Sequence, residues 1–275
     1  MDEKQTPTVA QVFDMLASTY DQTGVEFFGP VGAKLVELLD AQPGERCLDV
    51  GCGRGAVTLP LAAAVGAGGS VHGVDVSPGM LEEARGLAAR AGLTQATFDV
   101  ADAGDLSHLP ADHDVVASSL VLFFLADPAS ALRTWVERLA PGGRIGLVTF
   151  GVEDEASNAL VDLLDPYVPP TYRDPKFVAA ESPFTSESGM ERLLGDAGAR
   201  EVSTTLVPTT LEFPDVLHWQ RFSLSTGQRA MWMRMPEEDK PRILAQADEI
   251  LESTRTSADQ PCRLIWNMRY TLGRR

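Results

Sequence analysis

Asp49 stands two residues ahead of a glycine-rich turn, Gly51-Cys52-Gly53-Arg54-Gly55-Ala56, in the stretch CLDVGCGRGAVTLPLA. Gly51, Gly53 and Ala56 satisfy the pattern G-x-G-x-x-A, which a dinucleotide would accept. The acid argues otherwise. A pyrophosphate seeks backbone N–H groups and a helix N-terminus, and a carboxylate aimed into the same turn would repel it. A ligand with an ammonium group and no phosphate would use the acid. S-adenosylmethionine has that ammonium, together with a cationic sulfonium. The alternative use of Asp49 is to cap the helix that follows.

Two further acids extend this reading. Asp75, in VHGVDVS, lies twenty residues beyond Gly55, where a carboxylate can accept hydrogen bonds from ribose hydroxyls. That position serves either cofactor. Val76 follows it, and Met80, one turn into the next helix, either packs on an adenine face or belongs to the core. Asp102, in FDVADAGDL, is placed to accept from an adenine amino group, with Ala103 beside it. Asp99 and Asp105 compete with Asp102 by spacing. Ser119 and Leu120, leaving a later strand, would form the floor.

Were such a sulfonium the ligand, transfer of its methyl group would be an in-line displacement that requires alignment of the acceptor and exclusion of water. A general base is needed where the acceptor still carries its proton. Of the four histidines, His218 in FPDVLHWQRFSLS is the candidate base. His72 reads as structural, and His108 and His113 as surface residues. Tyr167 and Tyr172, with Phe177 and Phe184, fall in a proline-rich segment suited to a flat apolar acceptor, or anchor a loop. Trp219 and Phe222, beside His218, are further candidate substrate contacts. Met231, Trp232, Met233 and Met235 could line an adaptable pocket, although helix packing or a dimer contact explains such spacing equally well.

These residues need positioning elements, and the sequence supplies them as an alternation. RCLDV, SVHGVDV, ATFDV, HDVVASSL and GRIGLVTF read as strands separated by helical patterns, with Ser77 as N-cap and Pro78 at the first position of one helix. REVSTTLVP and CRLIWNMRYTL read as a sixth and a last strand, with helices over about residues 211–255 between them. Val9, Val12, Phe13 and Leu16 give the N-terminus a helical face. The expectation is an α/β, Rossmann-like, seven-stranded, mostly parallel sheet with helices on both faces. An α-helical lid comes from the N-terminus and the late insertions. One domain spans 1–275: a lid at 1–45, a cofactor-binding core at 46–150, and substrate-side insertions and last strands at 151–275.

Composition narrows the partners. Lys and Arg number 23 against 39 Asp and Glu, a net charge of −16, which opposes a nucleic-acid backbone. No apolar run reaches the ~20 residues of a membrane helix, and MDEKQTPT has no secretory character. Cys47, Cys52 and Cys262 form no C-x-x-C. They read as reduced thiols of a cytoplasmic protein with no metal site.

Together LDVGCGRG, GVDVSPGML, DVADAGDL, DVVASSLVLFFLADP and LAPGGRIGLVTF resemble the motif series of class I S-adenosylmethionine-dependent methyltransferases, from about Arg46 to Phe150. VFDMLASTYD resembles the ubiquinone/menaquinone-methyltransferase branch, and the length and late insertion are similar to bacterial natural-product methyltransferases. The resemblance implies that Tyr20 meets the methionine end, Asp49 and Gly51 the amino acid moiety, Asp75 the ribose, and Asp102 and Ala103 the adenine, with Cys52, Gly53, Val76 and Met80 as further cofactor contacts. Ser119 would lie on the floor. The expected activity is transfer of a methyl group to O, N or C of a small, largely apolar acceptor. The alternatives are a cofactor-binding protein that promotes another rearrangement or cyclisation, and an NAD(P)-dependent oxidoreductase. Lid helices of this fold often make dimer contacts, so a homodimer is one assembly open to the chain by analogy.

Overall fold

The computed structural model describes residues 8–169 and 182–275. Five strands run parallel: β1 (Arg46–Val50), β2 (Ser70–Asp75), β3 (Ala96–Val100), β4 (His113–Ser119) and β5 (Leu139–Glu153). β6 (Arg200–Phe213) and β7 (Cys262–Arg274) complete one sheet in the order β3-β2-β1-β4-β5-β7-β6, with β7 antiparallel to both neighbours. The order reverses between β1 and β4. An open α/β sheet binds its ligand outside the carboxyl ends of the strands at such a reversal.

Strand residues alternate between two apolar layers because successive side chains point to opposite faces. Cys47, Val71 and Val115 pack with α2 (Phe28–Leu39) and α3 (Thr58–Val65). Leu48, Val116 and Ile145 pack with α5 (Pro128–Glu137) and with Met190 and Leu194 of α7 (Glu187–Asp196). α4 (Pro78–Arg90) is started by Ser77, whose hydroxyl accepts from Met80 N, and by Pro78. The late segment forms α8 (Val216–Leu224), α9 (Arg229–Arg234) and α10 (Lys240–Ser253), and α10 packs on α6 (Glu155–Leu164).

The last strands run past their expected ends. β6 continues through Pro208 to Phe213, so residues 211–213 are strand and not helix. Proline lacks the N–H of a ladder donor and is confined to edges, and β6 is the edge strand. β5 likewise starts earlier and ends at Glu153.

α1 (Val9–Leu16) crosses the carboxyl side of the sheet. Asp14 accepts from Ser77 Oγ and from Gly79 N at the start of α4, where the positive end of the helix favours an acid. Leu16 and Ala17 bury Met80. α2 fits closely against the turn after β1, since a Cβ on Gly32 would lie 2.2 Å from Ala56 O. Gly32→Ala is therefore expected to destabilise the fold by about 1–3 kcal/mol. Urea unfolding of this variant beside the unaltered protein checks it, since an open position would show no loss.

Candidate active site

The turn after β1 is shaped by two glycines with different constraints. Gly51 has φ +67°, and a Cβ there would lie 2.3 Å from Val121 Cγ2. Gly53 has φ +53° with nothing within 4 Å of a built Cβ. The first must be bare to admit Val121, and the second faces open space. Cys52, between them, is buried, and its N–H donates to Val74 O at 2.9 Å.

Asp49 is 1% exposed. Its Oδ2 accepts from Thr58 Oγ1 at 2.6 Å, while Oδ1 is buried with no partner. The helix-capping alternative is thus half realised: one oxygen holds the first residue of α3 and the other is unused. Burial pushes the carboxyl up to about 7, Thr58 opposes that shift, and nearby Asp75 adds to it. A buried acid without a full partner set is costly unless a cation arrives.

Asp75 bridges two loops. Its Oδ2 accepts from Gly53 N and its Oδ1 from Ser77 N, both at 2.9 Å. Burial raises its carboxyl, against the pull of these N–H groups. Val76 is exposed beside it. Asp102 closes on Gly104 N through Oδ1 at 2.8 Å. Its competitors are committed elsewhere: Asp99 pairs with His72 at 2.9 Å, and Asp105 accepts from Ser107 N. Ala103 O accepts from Trp135 Nε1 at 2.7 Å, and Arg138 donates to Leu106 O, Ser107 O and Leu109 O, which fixes the loop carrying Asp102.

Ser119 is half-buried at the end of β4, and Leu120 follows with φ +62°. A left-handed leucine costs about 1–3 kcal/mol and persists where its surroundings demand it. Arg54 donates to Tyr20 O and pairs with Glu83 at 3.2 Å, which joins the glycine turn, the end of the lid and α4. The Tyr20 hydroxyl is raised by burial and by the charges of Asp21 and Asp75.

An arc of aromatic rings, half-buried from Tyr20 to Phe150 and buried at Trp266, runs from this point. Tyr20 meets Phe28 (4.6 Å between centroids) and Phe13 (5.9 Å), and Phe13 meets Phe124 (5.4 Å). Phe124 meets Phe123 (4.7 Å), Phe123 meets Phe150 (5.4 Å), and Phe150 meets Trp266 (5.8 Å). Sequence reasoning did not single out Phe123, Phe124 and Phe150. Phe123 and Phe124 stand in LVLFFLADP, immediately after the fourth strand, and Phe150 ends GRIGLVTF.

Several expected positions lie elsewhere. Met80, 1% exposed under Leu16 and Ala17, is a core residue and not an open adenine contact. His218 is held by Asp215, the N-cap of its own helix, at 2.7 Å between Nδ1 and Oδ1, so capping accounts for it. Tyr167 donates to Asp239 at 2.8 Å and receives Arg242, which anchors a loop to α10. Trp219 and Phe222 are 3% and 2% exposed in the aromatic core with Trp232, Phe213, Phe27 and Trp266. His113 is buried on Arg138 O instead of standing at the surface. Tyr172 and Phe177 lie outside the described residues.

A family model described as a methyltransferase domain matches residues 47–143. The nocamycin O-methyltransferase of Saccharothrix syringae is 32% identical over 273 residues, covering 96% of this chain and 97% of that protein. The chain belongs to the S-adenosylmethionine-dependent methyltransferases. An aklanonic acid methyltransferase from a Streptomyces species is 43% identical over 148 residues, 54% of this chain and 67% of that one. A putative methyltransferase from Bacillus halodurans shares the fold at TM-score 0.58 and 17% identity, over 88% of this chain and 97% of its own. The cyclase SpnF shares it at TM-score 0.55 and 16% identity, over 98% and 97%. This methyltransferase uses S-adenosylmethionine as its cofactor, and the quinone-branch resemblance rests on VFDMLASTYD alone.

The buried acid has a consequence for stability. With its carboxyl at about 7, Asp49 keeps in the folded state a proton that the unfolded chain, at 3.8, has lost. Stability therefore falls as pH rises between those two values and levels off above them. Asp49→Asn is expected to raise stability by roughly 1–4 kcal/mol near pH 8 and hardly at all near pH 4. Urea midpoints at both pH values test this, and an equal effect at both would refute it.

Proposed function

We propose that the enzyme methylates a hydroxyl oxygen of a flat, largely apolar secondary metabolite. The observation that carries the cofactor half is Asp49 Oδ1, a buried oxygen with no partner beside a turn whose Gly53 faces open space. Those features fit the cationic amino acid end of S-adenosylmethionine. Asp49 would hold the ammonium, with Gly51, Cys52, Gly53 and Tyr20 around the same end. Asp75 and Val76 would take the ribose, Asp102 and Ala103 the adenine, and Ser119 the floor. When bound, the cofactor supplies a methyl carbon on a cationic sulfur, already activated for displacement.

The chain's own contribution is alignment and dryness. Asp14, Arg54 and Tyr20 hold the N-terminal lid onto the carboxyl edge, and the aromatic arc gives a flat acceptor an apolar bed. The choice of oxygen is supported by the full-length likeness to a protein named as an O-methyltransferase. The net charge of −16 supports a small molecule over a nucleic acid. Among the described residues no helix is long and apolar enough to cross a membrane. Three buried free thiols suit our reading of a cytoplasmic enzyme. We read residues 1–275 as one domain, on the strength of one continuous sheet, and Leu217 and Met233, exposed on α8 and α9, as the surface favouring a homodimer.

Calorimetry with S-adenosylhomocysteine should give micromolar binding, weakened about tenfold or more by Asp49→Ala, and no heat with NADH. Acceptor turnover should release S-adenosylhomocysteine one for one. Acceptor consumed without that release would instead favour a rearrangement or cyclisation.

A further inference from the structure

Glu153 is a carboxylate that the cofactor site does not use. It lies where β5 leaves the sheet beside β7. Phe150 stands opposite Met268 and Glu153 opposite Trp266, so the strand advances three residues while its partner advances two. Met268 and Trp266 are two apart and share a face, which puts Phe150 and Glu153 on that face together. In an unbroken ladder Val152 would have taken the place of Glu153. Val152 is instead 61% exposed. Such bulges re-aim a side chain and concentrate near active sites.

The surroundings hold this arrangement. A Cβ on Gly151 would lie 2.3 Å from Asn267 O, and Asn267 Nδ2 donates to Val152 O at 2.6 Å. The neighbouring acid, Asp154, is fully occupied: Oδ1 accepts from Ser157 N, starting α6, and Oδ2 from Ile265 N. Glu153 Oε2 is buried and has no partner. It shares its face with Phe150 and Trp266, where the aromatic arc ends. Burial pushes its carboxyl up to about 7, and Asp154 adds to the shift. Asp154 is the charged group acting on it. α6 contributes Ser157 and Asn158, and β7 contributes Trp266 and Asn267, none of which titrates near neutrality.

We propose that Glu153 is the catalytic base that takes the proton of the acceptor hydroxyl during methyl transfer, an inference that rests on the oxygen-methylation reading above. The acceptor O–C bond forms as the donor C–S bond breaks, with sulfur keeping the bonding pair. The hydroxyl proton passes to the Glu153 carboxylate and then to solvent. No oxidant or second reactant is needed. The acceptor class is a phenol or enol on an apolar ring system, since an acceptor already ionised would need no base.

The test uses 2-naphthol, which keeps its proton well above neutrality, and 2-methoxynaphthalene, which has none to give. Fluorescence titrations of the full chain with S-adenosylhomocysteine are made near pH 6 and near pH 8. The unaltered protein should bind 2-naphthol about tenfold more tightly at the higher pH, as an ionised Glu153 carboxylate accepts a stronger hydrogen bond from the naphthol hydroxyl. The methoxy probe should show no such gain. Glu153→Gln should remove the pH dependence with S-adenosylhomocysteine affinity unchanged, and Glu153→Asp should keep part of it. With S-adenosylmethionine, methylation of 2-naphthol should fall about 100-fold in Glu153→Gln at neutral pH. Absence of 2-naphthol binding, or equal pH dependence in Glu153→Gln, overturns the proposal while leaving the cofactor reading intact. Failure of the unaltered protein to bind S-adenosylhomocysteine overturns that reading and the proposal with it.

Discussion

A buried carboxyl with one oxygen bound and one unused is an expensive feature, and the architecture around Asp49 is arranged to keep it. Thr58 supplies a single hydrogen bond from the start of α3. The sheet on one side and the glycine turn on the other exclude water, so burial, and not a salt bridge, sets the acid's protonation. A well-packed apolar residue would be cheaper for folding. The acid makes physical sense as a group held for a cation that is not part of the chain.

The second acid shows how the site is kept rigid. Asp75 takes N–H groups from the glycine turn and from the N-cap of α4, so these two loops are tied to each other. Asp14 and Arg54 then fasten the lid to the same pair of loops. From Tyr20 the aromatic arc leads across the ends of β4 and β5 to Trp266 on β7. The region proposed for the cofactor is polar and fixed by backbone donors, whereas the region proposed for the acceptor is apolar and shaped by ring contacts. That division matches a reaction in which the donor is always the same and the acceptor defines the enzyme.

The parts that could be read from the sequence are those set by local chemistry. Alternating apolar runs, Ser77-Pro78 and the glycine turn each specify their own conformation. The sequence spacing of Asp49, Asp75 and Asp102 follows strand ends, and the three acids do stand at or just past the carboxyl ends of β1, β2 and β3. The aromatics were harder. Helical spacing shows that Trp219 and Phe222 share a face with the core but not whether a cavity lies there, and they proved to be core. His218 could not be separated from a cap partner, because Asp215 lies three residues away in any helix. Pro208 suggested a strand end, and only its place at the sheet edge explains why the strand continues. Glu153 was invisible for a deeper reason. Its face depends on the pairing of β5 with β7, more than a hundred residues apart in sequence.

In the proposed site, Asp49 meets the cation of the cofactor. An acid standing near 7 when empty must give up its proton to hold an ammonium group. Titration with S-adenosylhomocysteine near pH 6, repeated in buffers of different ionisation enthalpy, counts the protons released. Release of close to one proton is expected, fading above about pH 8 and absent in Asp49→Asn. Tight binding with no proton released near pH 6, or the same release from Asp49→Asn, would contradict it.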